Sequence, residues 1–139
     1  MPDNIKTARI CFIVAAGLEI ATAALFLFIF ISGAVLVGWG TERSGLLGSA
    51  LLGATGILLA LGFAVFGVID LAIASAIAKG KPWARLAGIV MAVILLVLVP
   101  VGTVLGIFAL KGLVGPDARA WFGSPNGIPP ASYPPTTAV

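Results

Sequence analysis

The chain has 139 residues, of which 60% are hydrophobic and only 9% charged, and its mean hydropathy is +1.20. Soluble domains carry roughly 25% charged residues because their surface meets water; a water-soluble bundle with so apolar an exterior would aggregate. The net charge of +3 and pI near 9.5 do not point to nucleic acid, because the basic residues stand singly at the ends of apolar runs. The expected fold is an all-α integral membrane helical bundle.

The first apolar run covers residues 10–38 and is interrupted by Glu19, Thr22 and Ser32. As a helix it is about 43 Å long, enough to cross a bilayer. Lys6 and Arg9 precede it, and Ala21-Thr22-Ala23 has the look of a signal-peptidase site. The more apolar stretch from Leu25 to Phe30 follows that site, so a retained first helix is expected. Cys11, the only cysteine, cannot form an internal disulfide and reads as a small buried apolar residue. Trp39 closes the run where an interfacial aromatic belongs, and residues 40–45 form a polar turn.

A second run, 46–78, is interrupted by Asp70 and contains Gly48, Gly53, Gly56, Gly62 and Gly67. In lipid such residues let helix backbones approach closely. Lys79-Gly80-Lys81-Pro82-Trp83 ends it with a basic loop. The last stretch, 86–110, is either one tilted span or two shorter helices divided at Pro100, where a kink or break is required. Cytoplasmic loops carry the excess of Lys and Arg. Four spans with a cytoplasmic N-terminus leave only Arg43 outside, whereas three spans would also put Lys111 and Arg119 there. The reading is therefore a single bundle over residues 1–122, with helices at about 10–38, 46–78, 83–99 and 101–117. Residues 123–139 form a proline-rich tail, expected to be extended and either disordered or laid along a partner.

Three segments of the second half belong together: Gly80-Lys81-Pro82-Trp83-Ala84-Arg85 with Gly88-Ile89-Val90, then residues 100–107 (PVGTVLGI), then residues 115–122 (GPDARAWF). Over residues 80–122 the chain resembles a widespread group of small bacterial membrane proteins with about four helices. In that group a basic-Trp-Ala-Arg segment leads to an apolar run, a Pro-x-Gly-Thr turn and a Leu-Gly-Ile helix. The chain departs from the pattern at Phe108, where tyrosine is expected, and at Lys111, where an aromatic is commoner. The resemblance implies a bacterial inner membrane and a four-helix bundle, and it brings no activity or catalytic residue.

Charged groups within a span are costly and need a reason. Glu19 lies ten residues after Arg9 and Asp70 nine before Lys79, so on antiparallel helices both sit roughly 13 to 15 Å from the cytoplasmic end. Two close carboxylates in a low dielectric cannot both ionise cheaply. In the four-span arrangement Lys111 lies near the same level, and an intramembrane cluster of Glu19, Asp70 and Lys111 would be nearly neutral. Such a cluster serves either as interhelical polar glue or as a proton- or cation-binding site. The segment Ala16-Gly17-Leu18-Glu19 resembles the glutamate site of small multidrug exporters, although the tryptophan-rich third helix of that group is missing here.

Gly102 and Gly106 form a GxxxG pair, and Ala84, Gly88 and Ala92 repeat at four-residue spacing. Both patterns favour close helix packing, within the bundle or against another subunit. With no histidine, no nucleophile elbow and no metal-ligand spacing, neither catalysis nor a metal or cofactor is expected. The functional expectation is a non-catalytic accessory, scaffold or stabilising subunit of a membrane assembly. Its partners are the lipid bilayer and other membrane subunits or further copies of itself, and not nucleic acid. The alternative is a homo-oligomeric proton- or cation-coupled transporter or channel using Glu19 and Asp70. Both termini are expected on the cytoplasmic side.

Overall fold

The computed structural model describes residues 1–39, 43–97 and 100–123. Its regular elements are all α-helices: α1 Asp3–Trp39, α2 Arg43–Ala78, α3 Pro82–Val97, α4 Val101–Val114 and α5 Pro116–Gly123. Two of them, α1 and α2, are long and apolar enough to cross a membrane, and α4 with α5 adds a third if the bent pair counts as one span. The proline-rich tail beyond Gly123 and residues 40–42 of the expected polar turn lie outside the described residues, while residues 43–45 of that turn already belong to α2.

Two departures from the expected helix bounds have clear physical causes. α1 starts at Asp3, a full two turns before the apolar run. The Pro2 carbonyl accepts from the amides of Ile5 and Lys6, and Asp3 sits in the first turn where the helix dipole favours a negative charge. At the other end, α4 stops at Val114 instead of continuing to about 117. Pro116 lacks the amide needed to extend the helix and pushes Gly115 to extended geometry (φ −62, ψ 165). The chain then turns by 64° into α5.

The described residues fall into two compact units: 1–13 with 70–123, and 14–69. α1 and α2, which contribute to both units, have 37 and 36 residues, and α3 and α4 have 16 and 14.

In the first unit the buried residues follow helical spacing: Ile5, Ala8 and Phe12 on α1; Asp70, Ile73, Ala74 and Ile77 on α2. α3 buries Ala84, Gly88, Met91, Ala92 and Leu95, and α4 buries Gly102, Gly106, Ala109, Gly112 and Leu113. All five small residues singled out for packing are thus interior. Gly88 is where four helical segments meet, since a Cβ there would contact Leu113, Phe12 and Ile73. Gly106 faces the carbonyl of Ala92, which a Cβ would approach to 2.6 Å, and Gly112 faces the carbonyl of Asn4.

The second unit is an antiparallel pair, the residues 14–39 part of α1 against the part of α2 up to Ile69. Here the glycines receive side chains: Gly48 meets Val37, Gly56 meets Phe30, and Gly67 meets Ile20 with the Ala16 carbonyl. Phe26 and Phe63 stack with ring centroids 5.5 Å apart. A groove of about 270 Å³ beside them is lined by alanine, leucine and isoleucine, among them Ala23, Ala60 and Ala64.

A methyl group added against a backbone carbonyl has nowhere to go, whereas one added against a leucine tip displaces a flexible group. Gly106→Ala and Gly112→Ala are each expected to lose about 1–3 kcal/mol, and Gly88→Ala, facing Leu113 Cδ1, much less. Thermal unfolding of the three variants in one detergent checks the order.

Candidate functional site

The three residues expected to form a polar cluster do not share one environment. Asp70 is fully buried on α2, on the same helical face as Ile73, Ala74 and Ile77. Glu19 is 8% exposed on α1, and its Oε2 meets no hydrogen-bond partner among the described residues. The two acids fall in different units, the boundaries lying after Ile13 and Ile69. Lys111 is exposed and does not belong to a buried cluster. Helix rotation explains it: nine residues from Gly102 at about 100° each places Lys111 roughly opposite the buried face of α4.

The polar side chains that the first unit does bring together are engaged with helix ends. A helix leaves its last carbonyls without intrahelical donors, and in apolar surroundings each must find one. At the α3–α4 break, Leu96 would ordinarily receive the amide of residue 100. Pro100 has no N–H, and the Thr103 hydroxyl donates to the Leu96 carbonyl instead, at 3.0 Å. The Pro-x-Gly-Thr sequence thus carries its own repair, with Gly102 buried between the two.

The C-terminus of α2 closes with Gly80 at φ 62, a left-handed conformation that suits glycine. The Gly80 amide donates to Ile77 O and the Lys81 amide to Ala76 O, both at 3.1 Å, forming a Schellman cap. Trp121 of α5 adds a second donor to the same Ile77 carbonyl, its indole Nε1 at 3.1 Å. The C-terminus of α4 is served by Arg85, whose Nε donates to Leu113 O at 3.1 Å. Finally Asn4 Nδ2 donates to Asp117 Oδ2 at 3.1 Å, joining the start of α1 to α5.

Residue type alone does not reveal the roles of Thr103, Trp121 and Asn4, although the first two lie in the Pro-x-Gly-Thr turn and the 115–122 segment. A signal was present for the first: a proline with a hydroxyl three residues on implies a carbonyl in need of a donor. For Trp121 and Asn4 no local signal exists, because their partners are 44 and 113 residues away.

No protein-family model, no curated protein and no solved structure matches this chain. The roles of these residues therefore rest on their contacts alone.

Thr103→Val keeps the branched shape but removes the donor to Leu96. A stability loss of about 1 kcal/mol is expected, with Thr103→Ser retaining most of it; chemical denaturation in detergent micelles compares the two.

Proposed function

We propose that this chain is a small multi-pass protein of the bacterial inner membrane, acting as a non-catalytic accessory subunit that stabilises a membrane assembly. The observation that carries this reading is a mismatch of lengths. The hydrocarbon core of a bilayer is about 30 Å thick. The apolar run of α1 extends for about 43 Å and that of α2 for about 50 Å, and the 14–69 unit exposes large apolar side chains, Phe28 and Leu36 at 72% each among them. Tilt absorbs part of the excess; protein partners along the α1–α2 pair would cover the remainder. The engagement of Arg85, Thr103 and Trp121 in holding helix ends supports a structural role for the other unit.

The topology proposed with this role has four spans and cytoplasmic termini, in keeping with the resemblance over residues 80–122. It requires a bilayer thinned to helices of about 24 Å (α3) and 21 Å (α4). A cysteine at Val101, next to the Pro100 break, is then expected to react with an impermeant maleimide from outside the cell. Absence of labelling in a folded chain would make the α3–α4 pair re-entrant.

A second reading is favoured by a specific observation, the burial of Glu19 and Asp70. In this reading the acids bind a proton or cation in a homo-oligomeric transporter or channel. Two measurements separate the readings. For the accessory role, a photo-crosslinking residue at Phe28 or Leu36 forms protein adducts in cells, while one at the exposed Val93 of α3 forms lipid adducts only. Reconstituted chain moves no ions, and Glu19→Gln and Asp70→Asn alter assembly alone. Ion flux in vesicles that either substitution abolishes would overturn the accessory role in favour of transport.

A further inference from the structure

Hydrogen bonds within the first unit gather its helix ends at one place. Asn4 joins α1 to α5, Trp121 joins α5 to the end of α2, and Arg85 joins the start of α3 to the end of α4. Gly112, in the last turns of α4, lies against Asn4 and Ala8 of α1. The basic residues that flank these ends, scattered in sequence, are thereby brought to one end of the unit. Arg9, Lys79, Lys81, Lys111 and Arg119 are all exposed there. The acids nearby are already engaged: Asp3 pairs with Lys6 at 3.0 Å, and Asp117 accepts from Asn4.

The surroundings of these charges indicate what they meet. Exposed apolar residues stand close to them in the chain: Ile10 next to Arg9, Val114 one helical turn from Lys111, and Leu86 beside the half-buried Arg85, the three apolar residues each more than half exposed. Trp83, two residues from Lys81, is 51% exposed. A surface that places ammonium and guanidinium groups along the rim of an apolar wall matches an amphiphile with an anionic head and hydrocarbon tails. A nucleic acid would leave the apolar residues uncovered.

We propose that this basic end binds the headgroups of anionic phospholipids, with Lys79 and Lys81 as the principal contacts and Trp83 at the level of the headgroup. The lysine and arginine stems lie along the apolar wall while their charged heads reach the lipid phosphate. The attraction is electrostatic and weakens with salt. This inference rests on the membrane reading above but not on the accessory role.

The test uses the full chain carrying Trp39→Phe, so that Trp83 and Trp121, both at the basic end, report. It is reconstituted in phosphatidylcholine vesicles containing brominated phosphatidylglycerol or brominated phosphatidylcholine, and tryptophan quenching gives the relative association of the two lipids. Phosphatidylglycerol is expected to be preferred by about tenfold at low salt, with the preference falling at high salt. In the double variant Lys79→Gln/Lys81→Gln it drops at least about fivefold, and in Lys79→Arg/Lys81→Arg it persists. Equal quenching by the two lipids, or a preference indifferent to both salt and the glutamine substitutions, would overturn the proposal. Quenching by neither lipid would instead overturn the membrane reading on which it stands.

Discussion

A peptide group removed from water must find its hydrogen bond inside the protein, and much of this chain's polar chemistry follows from that constraint. Within a helix the requirement is met automatically. It becomes acute where a helix stops, as α2, α3 and α4 do in the first unit. Pro100 sharpens the problem by removing a donor, and Thr103 answers it three residues later. Arg85 and Trp121 do the same at the ends of α4 and α2. Each of these donors comes from a helix other than the one it completes, so satisfying the backbone also fastens the helices to one another.

Glycine has different work in the two units. In the first, Gly106 and Gly112 admit the backbone of a neighbouring helix, with Ala92 and Asn4 carbonyls where a side chain would otherwise stand. Close backbone contact of this kind leaves little tolerance for substitution. In the second, glycines on α2 accept the side chains of Val37, Phe30 and Ile20. That pairing is tight along its seam yet leaves most large apolar side chains of α1 and α2 facing outward. Both units expose large apolar side chains, Val97 at 81% in the first and Phe28 at 72% in the second, and it is the length of the apolar runs of α1 and α2 that underlies the proposed accessory role.

Charge is sorted just as sharply. Asp70 and Glu19 are buried, while the lysines are exposed and collected at the helix ends. The same positive residues that bias the orientation of a membrane chain become, once the ends converge, a local concentration of cations bordered by apolar surface. In the proposed lipid contact, the residues that meet the headgroups are the same ones that would bias orientation.

The helical class, the number of apolar runs, the break at Pro100 and the small-residue faces of α3 and α4 were all legible in the sequence. These are local properties, set by composition, by the chemistry of proline and by a period of 3.6 residues. The exposure of Lys111 was legible too, but only from its rotation relative to Gly102 and Gly106 and not from its depth. The start of α1 at Asp3 hid behind its polar composition, because an apolar run marks what lies away from water and not where helical hydrogen bonding begins.

The amino-acid sequence by itself determined that this chain is helical and too apolar for a water-facing surface, because those properties depend on residue type and near-neighbour spacing. Only the tertiary structure decided that Trp121 completes α2, that Asn4 holds α5 and that the basic residues share one end. Those outcomes depend on which distant segments pack together, and no spacing along the chain encodes the direction in which a side chain meets a partner tens of residues away.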